Sequence, residues 1–503
     1  MNLPCCGCSG EQSPSEVEVF FATNVPPMGA KALRGAGDSI SASTMRELGA
    51  ASCAQLFQRL GPGIVADTFR EITTGGCSSL FRELGLDFVV QLFAALGPGF
   101  CSDLFRRLGQ DSFLKDLLAA LGPEFVGDLM VGVGEEFCAG LFRPLGSRFC
   151  GDLFAGLGDV YMSKLFRAMG CELCAGVFCR LGSMWTADTH EAMSCAFCIL
   201  LYRDLGYPFT AHLFYLCGQA FTCDVHLLFG VGFTAELYSE LGVECVRGIF
   251  SHLGTNFSGR LFQGLGGEFI SELFGKLGIQ FCAELFGSLG SLWLSELFME
   301  MGILLSADLF QRRGANWVAN LHTKLGCPYC VGLYGAFGPE FAARLLQTCG
   351  LQLTRDVHLE FGSSFTAELY AHLGAKYVRG LFAYLGSGFA GRLIVQLGLT
   401  FAFELFALLG PGFCSDLFQS LGHCYVNELF GVLGCKFAGG LFLELGHDFV
   451  ARLFSALGVR YCARLFVELG EPFLADLLLF VGPQWGAKLF QGLQEYFTGK
   501  LFK

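Results

Sequence analysis

The chain has 503 residues, a net charge of −12 and a mean hydropathy of +0.51. The charge is spread along the chain, which argues against a nucleic-acid partner, since that affinity rests on Lys and Arg neutralising phosphates. The 24 cysteines do not read as a disulfide scaffold, which is small, poor in core and secreted.

Residues 1–44 stand apart as a leader containing Cys, Ser and Pro. The opening MNLPCCGCSGEQSPSEVEVFF lacks the basic flank and apolar core of a secretory signal. An intracellular, cytoplasmic location is therefore expected. Cys5, Cys6 and Cys8 are candidate lipidation sites, through which the leader would make peripheral membrane contact. No Gly follows the first Met, so N-myristoylation is excluded.

From residue 45 to the end one phrase recurs, L-G-x-x-F-x-x-x-L-F-x-x, about 38 times. Its glycines fall 12 apart, from Gly49 and Gly61 onward. Thr73, Ser194 and Gln494 fill the Gly place, and one extra residue in Gln110–Ser112 delays the beat between Gly109 and Gly122. A period of this kind takes precedence over any local motif. Positions are numbered below from the Leu of each unit, so that Gly is position two. Apolar positions change within their chemical type, whereas positions three, four, eight, eleven and twelve vary freely and hold most charges.

Each unit reads as one short helix. The adjacent Leu-Phe pair followed by two polar residues breaks the alternation of a strand. On a helical wheel advancing ~100° per residue, with position five at zero, positions nine, one, six and ten fall at about 40°, 80°, 100° and 140°. The variable positions eight, eleven, twelve and four fall at about 240–340°, so the helix is amphipathic. It cannot run on unbroken. A repeat of this length turns the apolar stripe about 120° per unit against ~3.6 residues per turn. The Gly is placed to reset the phase, and a left-handed helix-ending conformation is expected there. Prolines agree. Pro62, Pro98, Pro123, Pro339, Pro411 and Pro483 directly follow the Gly place, and Pro208, Pro328 and Pro472 come one later. These are first-turn positions, where Pro is tolerated. Pro144, at position twelve, is expected to kink its helix.

A helix of about ten residues is marginal alone, so each must lay its Leu and Phe on its neighbours. Small residues at positions six and seven would let backbones approach. The expected fold is all-α, a solenoid or closed superhelix of short single-helix repeats joined at Gly corners. A larger duplication lies within it: residues 185–190 and 224–238 recur eleven units on, at 317–322 and 356–370. The longest stretch without Asp, Glu, Lys or Arg, residues 205–223, keeps the repeat register and is not read as a membrane span.

Candidate chemistry is sparse. Cysteine favours position six, at Cys53, Cys77, Cys101, Cys138, Cys150, Cys174, Cys198, Cys282, Cys330, Cys414 and Cys462, where a small buried hydrophobe fits. The C-x-x-C pairs at 171–174, 195–198 and 327–330 lack the second pair of a zinc module. His190, His226, His322 and His358 replace Phe at position ten in pairs three units apart, and would stack if three helices made a turn. No nucleophile elbow, P-loop or dinucleotide motif is present. No catalytic residue, cofactor or metal is assigned. The expectation is a non-enzymatic scaffold or protein-interaction surface. The alternative is an amphipathic-helix coat on a membrane or lipid droplet.

Overall fold

Gly49, Gly61, Gly85 and Gly97 have φ near +80° and ψ near +155°, between segments of ordinary helix. In the computed structural model, which describes residues 38–497 and the side chains of 42–491, this corner returns unit after unit as far as Gly482. Between corners lie helices of eleven residues, as at Ser147–Leu157, Ser183–Met193 and Ser291–Met301. The described residues hold no strand. They divide into two compact units, residues 1–229 and 230–503, whose packing is given separately below.

The corner differs from the expected left-handed helical cap. Its φ is positive, but ψ is extended, a region that only glycine enters without strain. One such residue turns the chain sharply: Phe113–Leu121 and Pro123–Leu145, joined at Gly122, meet at 94°. A Cβ at Gly410 would meet nothing within 4 Å, so the demand for glycine there is conformational and not one of space. Thr73 (φ 75°, ψ 161°) and Ser194 (φ 78°, ψ 153°) hold the same corner with a Cβ. Each offsets part of the strain by capping the next helix, since Thr73 Oγ1 accepts from Gly76 N and Ser194 Oγ from Phe197 N, both at 3.4 Å.

The extra residue changes one corner. Gly109 has φ −87°, and residues 109–112 form a short turn. Asp111 there accepts from Phe113 N at 2.9 Å and pairs with Arg70 at 3.0 Å. Pro144 does not break its helix. Within Pro123–Leu145 only Gly134 leaves helical angles. Pro144 sits in the last turn, so a single backbone hydrogen bond is lost.

In the first unit the position-ten rings pack edge to face on the ring of the next repeat, as in Phe57–Phe69–Phe81 at 6.3 and 5.9 Å. The second unit repeats this column through Tyr238, Phe250, Phe262 and Phe274. Position-nine leucines such as Leu92 and Leu297 are buried, as is position six throughout its cysteines. Position seven is buried too, as Ser or Ala: Ser102, Ser295 and Ala343. The buried arc therefore runs from about 40° to about 200° on the wheel. Position five lies at its edge, so Phe413 is only partly buried while Phe418 is 9 % exposed.

Small residues at position seven answer a close approach. A Cβ on Gly151 would stand 2.5 Å from Ala192 Cβ and 2.9 Å from the Thr189 carbonyl oxygen. Ala192 is at position twelve of the helix three along. Four segments, Leu86–Leu108, Gln219–Leu289, Leu399–Leu421 and His423–Leu457, are apolar and long enough to cross a bilayer by length and composition. Each bends at glycine, at Gly97, Gly410 or several others. A straight piece of eleven residues spans about 17 Å of a ~30 Å hydrocarbon core.

The corner and the core each invite a measurement. Thr73→Gly and Ser194→Gly exchange about 1–3 kcal/mol of backbone strain for a few tenths of capping, so each should raise stability by about 1 kcal/mol or more in urea unfolding. Gly410→Val should lower it for the same reason. Phe418→Ala should cost about 3–5 kcal/mol and exceed the cost of Phe413→Ala. Hydrogen exchange should quicken only in helices within four repeats of residue 418; uniform acceleration across both units would contradict the packing described.

Candidate functional site

The polar groups that sequence variability marks as free are mostly engaged. Position eleven, when Arg or Gln, reaches the helix three repeats along and donates to the carbonyls at its end. In the first unit Gln58 donates to Ala95 and Leu96 at 3.2 and 3.3 Å, and Arg82 to Ala120 and Leu121. Arg143 and Arg167 do the same to Arg180 and Asp204. In the second unit Gln311 donates to Thr348 and Cys349 at 3.1 Å, and Gln347 to Tyr384 and Leu385. The last carbonyls of a helix have no partner within it, and these side chains supply one.

Position five does similar work when it is Tyr. Tyr161, Tyr329, Tyr377, Tyr425 and Tyr461 each donate to a position-ten carbonyl 43 residues earlier, at 2.7–2.8 Å. Trp in that place lays its ring on the position-ten Phe instead, as Trp317 on Phe274 and Trp485 on Phe442. The buried indole N–H groups of Trp185, Trp293, Trp317 and Trp485 then have no acceptor. Nothing in single-residue spacing distinguishes these roles. The signal available was the recurrence of Arg and Gln at position eleven, as at Gln58, Arg82, Arg143, Gln311 and Gln347.

All eleven position-six cysteines are buried, and none is in a disulfide. Most donate the thiol to the position-ten carbonyl eight residues earlier: Cys53 to Met45 at 3.6 Å, Cys77 to Phe69 at 3.5 Å, Cys330 to His322 at 3.6 Å. Ser306, Thr222 and Thr354 make the same bond with a hydroxyl. Position six thus takes Cys, Ser or Thr as readily as the buried Val65, Ile270 or Leu294, because a small polar side chain there finds this carbonyl. Burial pushes Cys53 up to about 11 and Cys101, Cys138 and Cys282 up to about 12. These thiols stay protonated and unreactive.

The C-x-x-C pairs do not converge. Cys174 bonds Phe166 on the preceding helix, whereas Cys171 turns to Phe209 three helices along. Cys198 and Cys330 likewise bond backward, to His190 and His322. Cys5, Cys6 and Cys8 lie outside the described residues.

The four histidines are buried. Each holds the carbonyl four residues earlier through Nδ1 at 2.7 Å. Nε2 of His190 meets Tyr202 Oη at 2.8 Å, that of His322 meets Tyr334 at 3.1 Å and that of His358 meets Tyr370 at 3.3 Å. The pairs do not stack on each other. His190 and His226 share the ring of Phe229, at 5.4 and 6.4 Å, and His322 and His358 share Phe361, at 5.4 and 6.3 Å. Burial holds all four imidazoles below their ordinary range, partly opposed by the backbone bond. They are neutral members of the aromatic column.

Cavities are small and apolar. One of about 40 Å³ lies among Phe57, Phe69, Phe81, Leu92 and Phe105. Another, of about 30 Å³, lies among Tyr370, Phe382, Ile394 and Phe406. No protein-family model matches the chain, and no curated protein shows significant similarity to it.

Burial of neutral thiols and imidazoles bounds stability on both sides. The thiols' folded values are raised above their ordinary 9.0, so their contribution is complete below that value and lost as pH rises toward about 12. The imidazoles are depressed below 6.5, so theirs is complete above that value and lost as pH falls through it. The midpoint of thermal unfolding should form a plateau between these limits. Cys101→Ala with Cys282→Ala should flatten the alkaline limb. A thiol reagent at neutral pH should label exposed Cys179 and Cys424 before any position-six cysteine.

Proposed function

We propose that residues from about 45 to the end form a solenoid or closed superhelix of about 38 single-helix repeats, and that it serves as a non-enzymatic scaffold whose variable positions engage other proteins. The helix Asp38–Leu48, whose Met45 carbonyl accepts the Cys53 thiol, is taken as part of it. The observation that carries the reading is the constancy of the contacts. Helices touch the next one along, and those three and four along, through the same positions in both units. An array bonded only to near neighbours is quasi-one-dimensional, and its length is set by copy number. The buried titratable groups are engaged at helix ends and in the aromatic column, which leaves no enclosed polar pocket among those described.

The outer positions carry what variation there is. Leu304, Val467 and Leu479, at positions four and eleven, are about four-fifths exposed, and acidic residues such as Asp416 and Glu428 are exposed at position eight. A surface of mixed apolar and acidic residues suits protein partners better than anionic lipid, which favours Lys and Arg. The coat reading uses the same amphipathic helices but turns their Leu and Phe outward to acyl chains. The paired bulky and small positions favour helix-on-helix packing instead, since lipid needs no such fit.

The test uses the chain with Cys5, Cys6 and Cys8 replaced by Ser, so that lipidation plays no part. It should be helical and unfold cooperatively in lipid-free buffer, and should remain at the bottom of a flotation gradient with neutral or anionic vesicles. A chain unfolded in buffer that gains helix and floats with vesicles would establish the coat instead.

A further inference from the structure

Position three of one helix meets position eight of the helix three along, 41 residues later. At three such seams a hydroxyl meets a carboxylate: Thr255 with Glu296 at 3.2 Å, Ser363 with Glu404 and Ser387 with Glu428 at 2.6 Å. At one seam the chemistry changes. Cys327 stands at position three and Glu368 at position eight, and His372 is added one turn after Glu368 on the same helix. The Cys327 Sγ, a Glu368 carboxylate oxygen and a His372 ring nitrogen all lie within 4.8 Å of one another.

We propose that Cys327, Glu368 and His372 form a binding site for a divalent transition metal of the zinc class. The inference goes beyond the scaffold reading and does not depend on it. The donor set is one sulfur, one nitrogen and one oxygen, which suits zinc or cobalt and not the hard cations calcium and magnesium. Ligands at about 2.0–2.3 Å from a tetrahedral ion lie about 3.3–3.8 Å apart. The three donors need close by only about an ångström, within reach of side-chain rotation. Cys327 is 5 % exposed, so the sulfur is held in place by packing. Glu368 and His372 are on the exposed side, so the fourth position is open to water. The Nδ1–H of His372 donates to the Glu368 carbonyl at 2.8 Å. That bond selects the tautomer whose Nε2 lone pair is free, and it orients the ring as a metal-bound imidazole requires. Without metal the Cys327 thiol donates a hydrogen bond to Glu368. Binding releases that proton to solvent and puts a metal–sulfur bond in its place.

A second cluster, His423, Cys424 and Glu468, has a simpler explanation. His423 Nδ1 already contacts the Glu468 carboxylate at 2.6 Å, a hydrogen bond that needs no metal, and Cys424 is exposed.

The test is cobalt titration of the full chain carrying Ser at residues 5, 6, 8 and 424, kept reduced by a phosphine. One Co(II) per chain should bind, with tetrahedral visible bands and a sulfur-to-cobalt charge-transfer band, and zinc should displace it. Cys327→Ala should abolish the charge-transfer band. His372→Ala, an exposed change that leaves the core intact, should weaken binding at least about tenfold. Cys330→Ala, whose thiol is already given to the His322 carbonyl, should leave the spectrum unchanged. Absence of the band at saturating cobalt in the folded chain, or its survival in Cys327→Ala, would overturn the site. Should Cys327→Ala fail to fold by circular dichroism, unchanged affinity in His372→Ala would overturn it.

Discussion

A backbone conformation at one glycine per repeat governs the rest of this structure. With positive φ and extended ψ, the chain breaks out of the helix and turns in one residue. Helix then resumes with its apolar arc restored to the same side. Without that reset the apolar stripe of the repeat would wind around a continuous helix and bury nothing consistently. Glycine enters this region freely and other residues enter it under strain. That is why Gly recurs almost without exception, and why Thr73 and Ser194 each add a side-chain cap.

The corners create a problem that the side chains solve. Every eleven-residue helix ends with carbonyls that lack intrahelical partners, and ends recur so often that most lie near another helix. The position-eleven Arg or Gln from three helices back satisfies those at positions twelve and one, while the position-six thiol or hydroxyl from the next helix and the position-five tyrosine from four helices on add a second donor to the position-ten carbonyl, which already accepts from the corner N–H. Each donor reaches a fixed offset because all helices have one length. The abundance of cysteine thus reflects backbone hydrogen bonding inside a packed core. The histidine–tyrosine pairs meet the same need among buried polar groups, each imidazole bridging its own helix and the ring one repeat on.

Uniformity is also what makes a local exception informative. At the seam where Ser or Thr elsewhere meets Glu, the combination of Cys327, Glu368 and His372 is a departure that brings together three atoms able to bind a metal. In sequence these residues sit at ordinary polar or variable positions, far apart along the chain. Only the pairing of a helix with the one three repeats along gives them a common point.

The amino-acid sequence by itself determined the all-helical state, the helix length, the place of each corner and the burial of position-six cysteines. All of these follow from local rules: the wheel angle of apolar residues, the permissiveness of glycine, the tolerance of proline in a first turn. It set the positive φ at the corner but not its extended ψ, and it counted position five within the buried apolar face, where Phe413 proves only partly buried. It also expected a kink at Pro144, which the end of the helix absorbs. The tertiary structure alone decided which helices are neighbours. That choice depends on the angle between successive helices, and a small change in ψ at each corner, repeated, moves a helix from one partner to another. The roles of Arg82, Gln347, Tyr425 and His372 all hang on that angle, because each acts on a helix three or four repeats away.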